Sequence, residues 1–112
     1  MNFGEIKYVL ERNTRYEGDK CYSEILDPSA LPLTNGRLHG GVLSFMLDHL
    51  MAYLVNTKYP DPPYVTARLE LKYSHPVWPD QPVKIRAEII ENDPRLVEAK
   101  GYVEQNDLVC VI

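Results

Sequence analysis

Between Val42 and Val55 the chain is almost entirely apolar, and one carboxylate, Asp48, interrupts that run. A run of 14 residues is short of the roughly 20 needed to cross a bilayer, so it reads as a helix buried in the core of a water-soluble domain. An ionised acid inside such a helix costs several kcal/mol unless something pairs with it. Asp48 follows Leu38-His39-Gly40-Gly41, a glycine-rich helix start, by two turns. Its position therefore points to a functional role.

The 112 residues are read as a single domain spanning 1–112, large enough for one core with little redundancy. A net charge of -4 and a pI near 5.3 leave no basic stripe for phosphate neutralisation, so no nucleic-acid partner is expected. Cys21 and Cys110 form no CxxC and are expected to be free thiols. His39, His49 and His75 lack ligand spacing, so no metal is expected. Met1-Asn2-Phe3-Gly4-Glu5 has no basic segment leading into an apolar one. The expected location is cytoplasmic, with no membrane partner.

Beyond the helix, which should run from about Gly40 to Asn56, strict alternation marks strands. The clearest is Val65–Ser74, where Val65, Ala67, Leu69, Leu71 and Tyr73 alternate with Thr66, Arg68, Glu70, Lys72 and Ser74. Val83–Ile90, Leu96–Glu104 and the shorter Leu108–Ile112 follow, and Lys20–Leu26 is a first strand before the helix. Asn92-Asp93-Pro94-Arg95 and Gln105-Asn106-Asp107 supply turns. The proline-rich stretches Tyr59–Pro63 and Pro76–Pro82 are loops. The order predicts an α+β fold, an antiparallel sheet of about five strands around one long central helix.

Three features together resemble the hotdog-fold acyl-CoA thioesterases. They are Leu38-His39-Gly40-Gly41-Val42-Leu43, Asp48 nine residues after the histidine, and Thr66-Ala67-Arg68-Leu69 leading to Tyr73-Ser74-His75-Pro76-Val77. Within that family the pattern is most similar to the small HGG-motif group that includes phenylacetate-pathway thioesterases. It covers roughly Tyr16 to Val111. The resemblance implies thioester hydrolysis of an acyl-CoA substrate, with no cofactor, at an interface between subunits of a homodimer or a dimer of dimers. It implies Asp48 as the catalytic acid, Gly40 as the oxyanion-hole amide and Thr66 as a water-positioning hydroxyl. Several members carry Asn or Gln six residues before the motif histidine. Here that position is Leu33 and the nearest amide is Asn35, which joins His39 and Gly41 as a candidate substrate-binding residue.

The chemistry fits this reading. Thioester hydrolysis needs a donor aimed at the developing oxyanion and a carboxylate that activates water or attacks the carbonyl. A glycine at a helix start supplies an unpaired N–H with no Cβ in the way. Gly40 and Asp48 are eight residues apart, about 12 Å along a helix, so one chain cannot present both to the same carbon. Two antiparallel copies can. Gly41, Ser44, Asp48 and Ala52 share one helix face; that stripe either meets its copy across a substrate or packs flat on the sheet. Thr66, opposite Val65 and Ala67, should point away from its own core toward solvent or a partner. His49 is a packing or interface residue, and Trp78 and Tyr73 either line an acyl channel or pack. Arg68, Lys72, Lys84, Arg86, Arg95 and Lys100 are solvated strand faces or contacts to CoA phosphates. The competing function is a non-hydrolytic acyl-CoA-binding hotdog protein. A dehydratase on the same fold would need a histidine with a second acid or amide, and no such pair is visible.

Overall fold

The computed structural model describes residues 1–61, 64–93 and 96–112. Pro62 and Pro63 of the first proline-rich loop, and Pro94 and Arg95 of the expected Asn92–Arg95 turn, lie outside the described residues. Sequence expectations contain no helix before Lys20, yet the chain starts with one, α1 (Phe3–Arg12). Its signal is local. The Asn2 side chain accepts the Glu5 N–H at 2.8 Å while the Glu5 carboxylate accepts the Asn2 N–H, a reciprocal capping box. Only Ile6 and Leu10 of this helix are buried, too few positions to register as a period.

The chain then forms β1 (Arg15–Glu17), β2 (Lys20–Ile25), a short 3₁₀ turn at Pro28–Ala30, and the hairpin β3 (Leu33–Thr34) and β4 (Arg37–Leu38). Helix α2 (Gly40–Lys58) follows, and then β5 (Val83–Asp93), β6 (Leu96–Gln105) and β7 (Leu108–Val111). Five strands make one antiparallel sheet in the order β1-β2-β5-β6-β7. The two-residue turn at Asn106-Asp107, both at positive φ, joins β6 to β7. The long central helix and the five-stranded antiparallel sheet match the expected architecture.

Helix α2 buries Leu43, Met46, Leu47, Leu50 and Leu54, a stripe at 3-1-3-4 spacing, against β5 and β6. Inward residues of the sheet, including Cys21, Ile25, Val83, Ile85, Ala87 and Val103, complete the core. Helix and sheet approach closely at Gly101 of β6. A Cβ there would stand 3.0 Å from Leu47 Cδ2 and 3.2 Å from Met51 Sδ, so the helix rests in a notch that only glycine leaves open.

Two expectations need correction. The segment Val65–Ser74 is not a strand over most of its length: it joins the sheet only through an isolated bridge between Tyr73 and Val111 and the backbone bonds of Lys72, Ser74 and His75 to Cys110 and Ile112. Alternation states a capacity to pair, and a ladder also needs a neighbouring backbone. Beside residues 65–71 the described residues provide none. The expected phase does not hold at the start of this segment either: Val65 is 87% exposed, and the Thr66 hydroxyl, though exposed, bonds Asp48 of the helix.

Two carboxamides, the buried Gln105 and the half-buried Asn56, fasten the loops. Gln105 Oε1 accepts the Trp78 N–H and its Nε2 donates to the Trp78 carbonyl, both at 2.8 Å. Asn56 does the same for Tyr64, at 2.7 and 3.1 Å.

Two outcomes test this packing. Gly101→Ala should lower unfolding stability by about 1–3 kcal/mol through overpacking, read by urea denaturation. Both cysteines are free and buried, and burial pushes the Cys21 thiol up to about 11. Since only the thiolate reacts, Cys21 in the native protein at pH 8 should modify with a disulfide reagent many times more slowly than in urea.

Candidate active site on helix α2

The start of α2 is pinned from several sides. His39, in extended conformation, caps the helix: its Nδ1 accepts the Gly41 N–H at 2.9 Å, which places the ring proton of the neutral imidazole on Nε2. The His39 carbonyl takes the N–H groups of Val42 and Leu43. Its own N–H donates to Pro32, and the Leu38 N–H donates to Val77. Tyr73 donates its hydroxyl to the Gly40 carbonyl at 2.9 Å. Of the first N–H groups of the helix, Gly40's alone has no acceptor among the described residues. A Cβ at Gly41 would meet the His39 ring at 3.0 Å, while one at Gly40 would make only an ordinary contact with Tyr73.

Eight residues further along, Asp48 is half-buried, not enclosed. Ser44, Asp48 and Ala52 lie on a side of α2 that the sheet does not cover, so the small-residue stripe does not pack flat on the sheet. Asp48 Oδ1 accepts the Thr66 hydroxyl at 2.7 Å. The two residues border a cleft of about 790 Å³ between α2, the segment 64–72 and the first half of β6. Thr66 was expected to face away from its own core, and it faces its own helix instead. The strand phase cannot apply where no ladder fixes the backbone.

The remaining candidates separate. Gly40, Gly41 and His39 sit at the helix start, outside this cleft. Asn35 occupies the β3–β4 turn, with Asn35 at φ 52 and Gly36 at φ 78. That is the positive-φ pair of a two-residue hairpin, for which Asn-Gly is the preferred sequence. The dipeptide is a hairpin signal that the sequence reading passed over. His49 packs: it stacks between Phe45 and Tyr53 and bonds Glu11 of α1 through Nε2 at 3.1 Å. Trp78 and Tyr73 do not line the cleft. Tyr73 instead buttresses the glycine turn, a contact across 33 positions that no local pattern marks.

Among the basic candidates, Arg68 pairs with Glu70, and Arg86 pairs with Glu104 while lying over the Tyr102 ring. Arg68, Lys72 and Lys100 border the cleft; Arg95 lies outside the described residues. Among the described residues no group of three His, Cys, Asp or Glu side chains gathers to hold a metal, and no helix is long and apolar enough to cross a membrane.

The family model of the thioesterase superfamily matches residues 35–110, which include the helix start, Asp48 and Thr66. The chain belongs to the thioesterase superfamily. Solved structures share its hotdog fold. Zebrafish thioesterase superfamily member 2 superposes with a TM-score of 0.80 at 13% identity, over 99% of this chain and 93% of that one. A phenylacetic acid degradation-related putative thioesterase from Ralstonia eutropha gives 0.77 at 20% identity, over 97% and 92%. A Bacillus halodurans protein solved with CoA gives 0.75 at 19%, over 91% and 69%. Another thioesterase superfamily protein matches at 0.74 and 23% over 88% of this chain, which spans about half (51%) of that relative's length. No curated protein matches the chain.

Because His39 caps α2 through a side-chain acceptor, His39→Ala should cost about 0.5–2 kcal/mol, measured by thermal or urea unfolding. His39→Asn, which restores an acceptor at the cap, should recover most of that loss.

Proposed function

We propose that this protein hydrolyses acyl-CoA thioesters to the free acid and CoA, at a site that two subunits share. Asp48 acts as general base or nucleophile, and the Gly40 N–H of the facing subunit donates to the thioester oxygen. The observation that carries this reading is the pairing of an uncovered helix carboxylate with an unspent amide on the same helix. Asp48 is held by Thr66 on the uncovered side of α2, and the Gly40 N–H has no described acceptor. About 12 Å of helix separates the two groups, too far for one thioester carbon, so a second copy must complete the site. Superfamily membership and the CoA-bound Bacillus halodurans relative support the substrate class.

In this scheme Thr66 holds Asp48 by one oxygen and leaves the other for water or substrate. The amide of Gly40 stabilises charge that appears only in the transition state, the kind of interaction that raises turnover. Glycine at 40 lets the thioester approach without a Cβ in its path.

Asp48→Asn should lower turnover of acyl-CoA by about 10²–10⁴-fold with fold and assembly retained, and Thr66→Ala should lower it less. Thiol release from a panel of acyl-CoAs is the measurement. If the parental protein releases no thiol yet binds CoA esters, the non-hydrolytic binding reading replaces this one.

A mixing experiment tests the shared site. Proline is favoured at the first helical position, where it lacks only an orphan N–H, and the extended His39 suits a following proline. Gly40→Pro should therefore fold and lose activity. Mixed and reassociated with Asp48→Asn, it should regain about a quarter of parental turnover, because half of the random pairs are mixed and each carries one intact site. Two inactive variants that stay inactive when mixed would remove the shared site.

A further inference from the structure

The proposed oxyanion donor is the amide of a glycine, the residue with the widest backbone freedom. It lies in the first turn of a helix, where ends fray. A donor stabilises developing charge well only if its direction is fixed before the reaction, so something must hold Gly40 still. Two peptide planes meet at its Cα. In the plane before it, which carries the Gly40 N–H, the His39 carbonyl accepts the N–H groups of Val42 and Leu43 at 3.0 and 3.1 Å. In the plane after it, the Gly41 N–H donates to His39 Nδ1 at 2.9 Å, and the Gly40 carbonyl accepts the Tyr73 hydroxyl at 2.9 Å. Holding both planes removes the rotations that glycine would otherwise have.

The bonds from Gly41, Val42 and Leu43 are local to the helix start and move with it. The Tyr73 contact spans 33 positions and ties the turn to the sheet. Tyr73 forms a bridge with Val111, and the N–H groups of Ser74 and His75 donate to the Cys110 carbonyl at 2.8 and 3.2 Å. The same segment holds the chain as it enters the helix, where the Leu38 N–H donates to the Val77 carbonyl at 2.8 Å. Neither partner needs the Tyr73 bond for its own satisfaction. Helix geometry offers the Gly40 carbonyl the N–H four residues on, and Tyr73 is 50% exposed, so water can reach its hydroxyl. A hydroxyl directed at that carbonyl adds restraint.

We propose that Tyr73 is a positioning residue for the oxyanion donor. Its hydroxyl, through the Gly40 carbonyl, holds the first turn of α2 so that the Gly40 N–H keeps one direction before the thioester arrives. This inference rests on Gly40 as the donor in the proposed hydrolysis. A Cβ on Gly40 would stand 3.6 Å from the Tyr73 ring, so ring and turn are in ordinary contact. Tyr73→Phe therefore keeps the packing and removes only the hydrogen bond.

Backbone order parameters from nuclear magnetic resonance read the restraint directly. In Tyr73→Phe the Gly40 amide should fall from about 0.85 to about 0.6, while amides in the middle of α2 and the thermal midpoint stay near parental values. With an acyl-CoA substrate, kcat and kcat/KM should fall together by about tenfold and KM should not change, as for an interaction that acts only in the transition state. Para-aminophenylalanine at position 73 restores a donor and should recover both readouts; para-fluorophenylalanine has none and should recover neither. An unchanged Gly40 order parameter in Tyr73→Phe would overturn the proposal, and so would a loosened amide with parental kcat. If the parental protein releases no thiol, the hydrolysis reading fails. The order parameter then still supports or overturns the hold of Tyr73 on Gly40, so the two failures are told apart.

Discussion

The approach of α2 to β6 at Gly101 sets the rest of the structure. With hydrogen in place of a side chain, Leu47 and Met51 settle directly on the sheet, and the stripe Leu43, Met46, Leu50 and Leu54 is carried into the core with them. That seating fixes the rotation of the helix about its own axis. A helix rotated to bury this stripe must turn Ser44, Asp48 and Ala52 elsewhere, and here that side is not covered by sheet. The exposure of the candidate acid is thus a consequence of how the apolar side is satisfied. The expected cost of enclosing a carboxylate does not arise, because Asp48 stays half-buried with a hydroxyl as its partner.

Around this helix, irregular backbone is held by side chains that imitate a neighbouring strand. Gln105 and Asn56 each use both ends of a carboxamide to pair the N–H and C=O of a single loop residue. Such pairs let proline-containing loops be anchored without a ladder, since proline itself cannot donate. Tyr73 does comparable work at the helix start, where its hydroxyl holds the Gly40 carbonyl. These contacts join residues 8 to 33 positions apart. They keep the amide end and the acid end of α2 in fixed relation to the sheet.

Legibility followed the range of each interaction. The helix from Gly40, the strands at 83–90 and 96–104 and the turn at Asn106-Asp107 rest on periodicity and turn chemistry within a few residues, and they were readable. Helix α1 was missed because its cap is its main signal and only Ile6 and Leu10 reach the core. The segment 65–74 misled, since its alternation is real but its pairing depends on a neighbour that the described residues supply only at Lys72 and beyond. Asn35, a candidate substrate-binding residue by sequence, stands in an Asn-Gly turn at positive φ, a local hairpin signal.

By itself the sequence determined the residue types available for chemistry and their spacing along one rigid element: an acid, a glycine amide and the fixed rise between them. A helix converts residue separation into distance with no further information, so Asp48 and Gly40 were bound to lie too far apart for one carbon. Only the tertiary structure decided which side of that helix stays uncovered. It also brought the Thr66 hydroxyl onto Asp48, gave the Gly41 amide to His39, and left Gly40's without an acceptor among the described residues. Those outcomes depend on side chains meeting across long stretches of chain. Whether such a contact forms is set by how the apolar stripe seats on the sheet, which no local pattern encodes.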